Sequence, residues 1–303
     1  MSRSKIIALI IGVVIVVSLI VLFFGQEIVP PHPRVAIITL TGPIQGSDGG
    51  LPFPDTAITP ELVRGLLEQA EGDRSIKAVV LRIDSPGGMI AASQEIGDMI
   101  KEFEKPIVVS MGDQVTSGGY YISAHADMII AQAGTITGSI GVIFTHLNVD
   151  GLLEKLGIEM ETVTGGEHKD MFVTPLTPER RYLIQRITDA AHDQFIHTVA
   201  EGRDLPISEV RELATGELFI GRQALELGLV DRLGGRQVAI NVAAELAGIQ
   251  EWVVIELAPP VPSLFDLFLG GGSILREMAI ARLLGDEITL LRTLLKTYSL
   301  PRY

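Results

Sequence analysis

The most informative stretch of this chain is Pro106-Ile-Val-Val-Ser-Met-Gly-Asp-Gln-Val-Thr-Ser-Gly-Gly-Tyr-Tyr-Ile-Ser123. Its first six residues form an apolar run typical of a buried strand, and the part from Ser117 to Ala126 predicts a helix. Ser117 lies at the corner between them, where its hydroxyl can be exposed beside backbone N–H groups, and Gly118 and Gly119 let another backbone approach closely. This pattern suits a nucleophile. Serine is also a common helix N-cap, and the segment alone favours that simpler interpretation.

Strands and helices alternate along most of the chain. Further strands are predicted at 34–40, 77–83, 128–131, 141–144 and 159–163, and further helices at about 59–70, 91–103, 151–156 and 177–202. Thr59-Pro60 and Thr177-Pro178 each have the chemistry of an N-cap followed by proline at the first helical position. The alternation predicts an α/β fold with a largely parallel sheet.

The N-terminus predicts a membrane anchor. Ile6 to Phe24 is an uncharged run of 19 residues, long enough to cross a hydrocarbon core, and Arg3 and Lys5 precede it. No small-x-small cleavage site follows, which favours an uncleaved signal anchor over a cleaved leader. The positive flank predicts a single-pass protein of the cell membrane, with a cytoplasmic N-terminus and an extracytoplasmic body.

The remaining organisation follows from composition. Residues 1–28 hold the cytoplasmic N-terminus and anchor, residues 29–33 a Pro-rich spacer, residues 34–258 the body, and residues 259–303 an apolar tail whose role the sequence leaves open. The net charge of −13 argues against nucleic acid as a partner. The absence of cysteine excludes disulfides, thiolate metal sites and a Cys nucleophile. With neither a P-loop nor metal-ligand spacing, the sequence predicts no cofactor and no metal.

A serine nucleophile needs a base, either a histidine or a lysine that desolvation keeps neutral. Of the six histidines, only His146 is a credible partner for Ser117, and it is the weaker candidate. Lys169 lies in Gly165-Gly-Glu-His-Lys-Asp-Met171, where turn glycines and apolar neighbours predict partial burial. It could equally be a solvated surface lysine.

A third segment, Arg82-Ile-Asp-Ser-Pro-Gly-Gly88, ends a predicted strand just before a helix. Such a turn presents backbone N–H groups that can bind an oxyanion. In isolation it is more simply a tight turn.

Together these segments resemble the signal peptide peptidase A (SppA) family. The similar motifs are Leu81-Arg-Ile-Asp-Ser-Pro-Gly-Gly88, Ser110 to Ser123, Thr137-Gly-Ser-Ile-Gly-Val142 and Gly166-Glu-His-Lys-Asp170, with a further family-like stretch from Gly216 to Asp231. They occur in the family's order, and the resemblance covers roughly Arg34 to Gly248. Four ordered motifs are far more specific than any one alone.

The resemblance implies a ClpP/crotonase-like spiral of ββα units and a membrane-anchored Ser–Lys protease. It implies Ser117 as the nucleophile, Lys169 as the general base and Ser139 as the residue that orients the lysine. The backbone N–H groups of Gly88 and Gly118 would form the oxyanion hole. Asp84 stands where many relatives are expected to have Asn, so the resemblance assigns its side chain no role.

The implied substrates are signal-peptide remnants and other short or unfolded apolar peptides. The implied assembly is a homo-oligomer with active sites near subunit contacts, in which Lys169 would serve a neighbour's Ser117. Two alternatives remain open from the sequence. One is a non-catalytic membrane-associated scaffold on the same fold; the other is an acyl-CoA hydratase or isomerase, which export makes the weaker of the two.

Overall fold

The computed structural model of the chain describes residues 32–47 and 57–259. The predicted anchor, Ile6–Phe24, and nearly all of the predicted tail, 259–303, lie outside these ranges. Within the described ranges, no helix combines the length and the apolar character needed to span a bilayer.

The described residues form one eight-stranded sheet and eight helices. The strands are β1 (Arg34–Thr41), β2 (Ile76–Ser85), β3 (Ile107–Thr116), β4 (Met128–Ala131), β5 (Ile136–Gly138), β6 (Leu218–Ile220), β7 (Arg232–Leu233) and β8 (Val253–Leu257). The helices are α1 (Pro60–Gly72), α2 (Ile90–Glu102), α3 (Gly118–Ser123), α4 (Asp150–Lys155), α5 (Pro178–Gly202), α6 (Ile207–Leu213), α7 (Gly221–Glu226) and α8 (Arg236–Leu246).

The sheet is almost entirely parallel, as the alternation of strands and helices predicts. Its order is β6-β5-β3-β2-β1-β8, and β4 and β7 branch from it because β4 pairs with β3 and with β7. Among the described strands, only the short pair β5–β6 is antiparallel. The first half of β3 pairs with β4 and its last three residues pair with β5, so the sheet divides along this strand.

Both faces of the central strands are buried, and each strand therefore has a nearly continuous apolar sequence. One face packs against α1, α2, α3 and α5 in a large cluster that includes Leu81, Val109 and Tyr120. The other face carries Val80 and Val108 and is covered by α8. The carboxyl ends of β2 and β3, where Ser85 and Thr116 lie, are thus held by packing on both sides.

The predicted helix caps are confirmed. Thr59 accepts a hydrogen bond from Leu62 N at 3.2 Å, and Thr177 accepts one from Arg180 N at 3.2 Å. The second cap begins α5, a helix of 25 residues that ends at Gly202, close to the predicted boundary.

Two predicted strands, 141–144 and 159–163, do not form. Their apolar residues do not face a core, since Ile143 and Val163 are each 90% exposed in the single chain. A strand needs a neighbour to satisfy its backbone groups, and no sheet edge of the described chain pairs with either run. Apolar composition was therefore a misleading signal here. The helix predicted at 151–156 forms as α4, one residue earlier.

Candidate active site

Ser117 joins β3 directly to α3 and has a strained backbone. Its φ and ψ are 52° and −122°, a conformation that residues other than glycine rarely adopt. The Ser117 N–H donates to the carbonyl of Gly138 on β5 at 2.9 Å, which fixes the corner against the neighbouring strand. Its side chain makes no capping hydrogen bond to α3. The simple N-cap interpretation is therefore wrong, and strain of this kind concentrates at functional sites.

The loop that follows β2 packs tightly against this corner. A Cβ atom on Gly87 would lie 2.6 Å from Gly118 N and 2.8 Å from the Cβ of Ser117, so only glycine fits there. A Cβ atom on Gly88 would lie 2.0 Å from the carbonyl oxygen of Ile44. The two glycines bring the backbone of this loop into contact with the backbone of the Ser117 corner.

The orientation of the Gly87–Gly88 peptide follows from one hydrogen bond. Its carbonyl oxygen accepts from Ile44 N at 2.8 Å. In a trans peptide the C=O and N–H groups point in opposite directions, so the Gly88 N–H points away from Ile44. Among the described residues this N–H has no hydrogen-bond acceptor, and its nitrogen lies 3.1 Å from the position of a Cβ on Gly118. A free donor beside the Ser117 corner can bind an oxyanion.

A narrow pocket opens at this point. Its walls come from the Gly88 loop, from α2 and α3, from the segment after β5 and from α5; the lining residues are Gly88, Ile90, Ser93, Ser117, Gly118, Tyr121, Gly141, Val142, Ala191, Gln194 and Phe195. Ser117, Gly88 and Gly118, three of the residues singled out in the sequence, thus lie in one site. The wall from α5 was not foreseen, because a helix pattern does not say what its buried face covers.

The helix behind Ser117 is firmly anchored. Tyr120 is fully buried and donates its hydroxyl hydrogen to the carbonyl of Leu229 at 2.8 Å. Burial raises the pKa of Tyr120 well above its usual range, so the phenol stays neutral and serves as a structural donor. Tyr121 packs against Phe195 of α5, with ring centroids 5.1 Å apart, and its hydroxyl accepts from Thr198 at 2.9 Å.

Ser139 lies next to the corner through the backbone. It directly follows Gly138, whose carbonyl accepts the hydrogen bond from Ser117, and it has a positive φ of 52° like Ser117. Its own N–H donates to the carbonyl of Glu217 at 2.8 Å. Two serines with the same unusual backbone conformation are thus held on adjacent strand ends.

Lys169 is placed differently. It lies in a turn after Gly166, its side chain is exposed, and it is not among the residues that line the Ser117 pocket. The partial burial predicted from its neighbours is therefore not found within a single chain, because Met171 and Phe172 are themselves only partly covered or exposed. The adjacent Asp170 forms an ion pair with Arg180 of α5, which also donates to the carbonyl of Pro175 at 3.1 Å. These contacts tie the turn to the start of α5.

His146, the alternative base, is not placed at Ser117 either. It lines a separate cavity with Phe144, Gln185 and Thr188, and its Nε2 atom is buried without a hydrogen-bond partner among the described residues. Its ring lines the wall of that cavity rather than the pocket of the nucleophile.

Comparisons with known proteins agree with the resemblance seen in the sequence. Residues 100–250 match the model of peptidase family S49. The chain is 42% identical over 212 residues to slr0021 of Synechocystis, which is named as a protease; the alignment covers 68% of this chain and 76% of that protein. It is 34% identical over 266 residues to the chloroplastic serine protease SPPA of Arabidopsis thaliana, covering 85% of this chain and 39% of that longer protein.

A solved structure of similar fold is a mutant of the 1510-N membrane-bound stomatin-specific protease in complex with a substrate peptide. It superposes with a TM-score of 0.51 at 16% identity, covering 79% of this chain and 98% of that one, a likeness of fold alone. The predicted ClpP/crotonase-like fold is confirmed for the described residues. With its S49 match and its protease relatives, the chain belongs to the SppA family and is a serine protease.

Proposed function

We propose that this protein is a membrane-anchored endopeptidase with a Ser117–Lys169 dyad, which degrades cleaved signal peptides and other short or unfolded apolar peptides. The observation that carries the proposal is the strained corner at Ser117, packed against a loop whose Gly88 N–H has no hydrogen-bond acceptor among the described residues. A nucleophile beside a fixed donor is the arrangement that acyl transfer requires.

The chemistry assigned to the site runs in two halves. Lys169, in its neutral form, takes the proton of Ser117 as the hydroxyl attacks the scissile carbonyl. The N–H groups of Gly88 and Gly118 stabilise the oxyanion of the tetrahedral intermediate, and the protonated lysine then donates to the leaving amine. A water molecule then attacks the acyl-enzyme in the same way: Lys169 takes a proton from the water and returns it to the Ser117 oxygen as the acyl group leaves. Ser139, held beside the corner, orients the lysine amine.

The exposed position of Lys169 supports a site completed by a second copy of the chain. The segment 142–176 carries Lys169 and exposes large apolar side chains; the most exposed are Ile143 (90%), Val163 (90%), Leu147 (77%), Leu156 (63%) and Met160 (62%). So many large apolar side chains exposed within one segment are unfavourable in water and mark an interaction site. We assign the surface to contact between subunits of a homo-oligomer, in which Lys169 of one subunit serves Ser117 of the next.

Anchoring and substrate class rest on other observations. The uncharged run Ile6–Phe24, with Arg3 and Lys5 before it, supports a single-pass anchor with the protease outside the cytoplasm. A relative in Enterococcus faecium, 39% identical over 209 residues, is named as a signal peptide peptidase, and this supports signal-peptide remnants as substrates. No metal or cofactor takes part in the proposed reaction.

The test is the peptidase activity of the full-length chain in detergent, on short apolar peptides. Ser117→Ala and Lys169→Ala should each abolish activity while the chain stays folded, whereas Lys155→Ala should remain active. Lys155 is a matched control because it is another exposed lysine of the same segment. An inert but folded parent, or active Ser117→Ala protein, would refute the proposal and favour a non-catalytic scaffold.

The trans arrangement has its own test. Inactive Ser117→Ala and Lys169→Ala chains are mixed under conditions that allow subunits to exchange. Recovery of part of the activity is expected, since a subunit with Ser117 can then receive Lys169 from its neighbour. A mixture that oligomerises but stays inactive would contradict the trans arrangement and leave the dyad itself untouched.

A further inference from the structure

The pairing of β2 with β3, the strand that leads to Ser117, contains an irregularity to which the proposed mechanism assigns no role. Strands β2 and β3 pair in regular register up to Ile83 and Met111, and the next pair is Ser85 with Val115. A single residue of β2, Asp84, therefore faces the three residues 112–114 of β3. Such a bulge bends a strand and re-aims the residues that follow it.

The Asp84 carboxylate holds this bulge. One of its oxygens accepts a hydrogen bond from Gln114 N at 3.2 Å, and the other lies 3.5 Å from Asp113 N. Gly112 packs directly on the side chain, because a Cβ there would lie 2.8 Å from the Cβ and Cγ of Asp84. From the β5 side, Thr135 donates its hydroxyl hydrogen to the carbonyl of Gly112 at 2.8 Å.

The bulge lies where β3 changes partners. Before it, Ser110 pairs with β4; from Gln114, its last residue, to Thr116 the strand pairs with β5. The backbone N–H groups of the bulge cannot all reach a neighbouring strand, so a side-chain acceptor is needed there. Asp84 supplies it, and the register that results places Thr116 opposite Gly138 and Ser117 in hydrogen-bond contact with it.

A chain of contacts leads from the bulge back to the oxyanion loop. The Gln114 side-chain amide donates to the Thr116 hydroxyl oxygen at 3.0 Å, and that hydroxyl donates to the carbonyl of Pro86 at 3.2 Å. The same Pro86–Gly87 peptide donates its N–H to the hydroxyl oxygen of Ser85 at 3.1 Å. The Pro86–Gly87 peptide, which precedes the Gly88 N–H, is thus fixed at both its carbonyl and its N–H group. The contact to its carbonyl comes from β3, the strand that ends at Ser117.

We propose that Asp84 is a positioning residue, which sets the distance between the Ser117 hydroxyl and the Gly88 N–H by fixing the bulge of β3. Its oxygens face backbone N–H groups, and it is not among the residues that line the Ser117 pocket. Thr116 carries the same constraint to the loop. This inference rests on the proposed roles of Ser117 and Gly88.

The test compares Asp84→Ala, Asp84→Asn and Asp113→Ala in the full-length chain in detergent. Asn keeps an acceptor for Gln114 N, whereas Ala removes both. Asp113 is a matched control, since it is an exposed carboxylate on the same bulge whose removal leaves those contacts in place. Measured quantities are kcat, KM and the affinity for a peptide boronic acid, which binds serine as a tetrahedral adduct.

Asp84→Ala is expected to lower kcat by about 10- to 100-fold with little change in KM, because a small misplacement of reacting groups costs this much. Affinity for the boronic acid should fall in parallel. Asp84→Asn should recover most of the kcat and most of the affinity for the boronic acid. Asp113→Ala should match the parent in both. A purely structural role would instead lower the melting temperature without separating kcat from KM.

If Asp84→Ala does not fold, Thr116→Val carries the test, since it removes the hydroxyl and keeps the shape. A fall in kcat at constant KM supports the inference, and a kcat equal to that of the parent overturns it. Asp84→Ala with parental kcat and boronic acid affinity would also overturn it. Ser117→Ala in the same assay distinguishes failure of the positioning role from failure of the proposed function. If that variant is inactive while Asp84→Ala equals the parent, only the positioning role is wrong.

Discussion

The Ser117 corner and the Lys169 segment differ in how completely one chain builds them. Around Ser117, the strand ends are buried on both faces, and the backbone is fixed by bonds to Gly138 and Ile44. In the segment 142–176, Ile143 and Val163 are each 90% exposed, and no strand forms. The comparison indicates that the proposed nucleophile and oxyanion loop are preorganised within one chain, whereas the proposed base would require contacts that the described single chain does not supply.

The same substitution made in each region should give the sharpest contrast. Gly88→Ala forces a Cβ to within 2.0 Å of the Ile44 carbonyl oxygen, whereas a Cβ on Gly151 of α4 meets nothing within 4 Å. We expect Gly88→Ala to lower kcat by about 10²-fold or more, because the clash moves the backbone N–H of residue 88 away from the oxyanion, and an oxyanion donor contributes this much. It should also destabilise the chain by roughly 1–3 kcal/mol, the usual cost of overpacking.

Gly151→Ala should leave activity and melting temperature close to those of the parent. Calorimetry and initial rates on the two variants check this pair. Equal effects at the two positions would contradict the contrast between the regions.

Charge placed on the exposed apolar surface should act on assembly rather than on the fold. Ile143→Asp keeps an exposed position exposed in the single chain but disfavours its burial against a neighbour. Activity is expected to fall by about tenfold or more together with loss of the oligomer, because a charge buried without a partner costs several kcal/mol. The circular dichroism spectrum should not change.

Sedimentation velocity and peptidase rates measure this prediction. Gln250→Asp, which adds the same charge at an exposed site outside the segment, is the control. An Ile143→Asp protein that remains a fully active oligomer would show that this surface is not the subunit contact.

Replacing a valine by alanine in each region should show their difference in the free energy of unfolding. Val109 of β3 is fully buried, and Val163 is 90% exposed. Val109→Ala should lower the free energy of unfolding by about 2 kcal/mol, from lost burial and the cavity left behind. Val163→Ala should change the stability of the dissociated subunit by no more than about 0.5 kcal/mol. Urea unfolding of both variants, in the dissociated state, checks the values; a similar loss at Val163 would mean that this segment packs in the single chain.

The smallest expected effect concerns pH. Burial, and then the nearby Lys101 ammonium, hold the pKa of His125 below its usual value of 6.5, so the unfolded chain binds this proton more readily than the folded one. The stability that the neutral ring contributes is complete above pH 6.5 and is lost as the pH falls below that value towards the lower folded-state pKa. His125→Gln should flatten this part of the profile of melting temperature against pH. An unchanged slope would assign the acid sensitivity to other groups.

The sequence predicted much of this arrangement because several signals were local. The caps at Thr59 and Thr177, the buried strands and the glycine pair after Asp84 all act through neighbours a few residues away, and the structure places them as expected. The runs at 141–144 and 159–163 misled because apolar composition does not say whether a core or another subunit covers a residue. Ser139 could be named from its motif, but its place beside the corner depends on strand pairing.

By itself, the sequence determined the family, the α/β class and the candidate residues Ser117, Lys169 and Gly88, because ordered motifs and local periodicity are written along the chain. Only the tertiary structure decided that Asp84 holds a bulge, that α5 forms a wall of the pocket and that Lys169 stands outside it. These outcomes depend on sheet register and on contacts between residues far apart in sequence. A shift of one residue in the pairing of β2 with β3 would remove the contact between Asp84 and the bulge, although every local sequence pattern would stay unchanged.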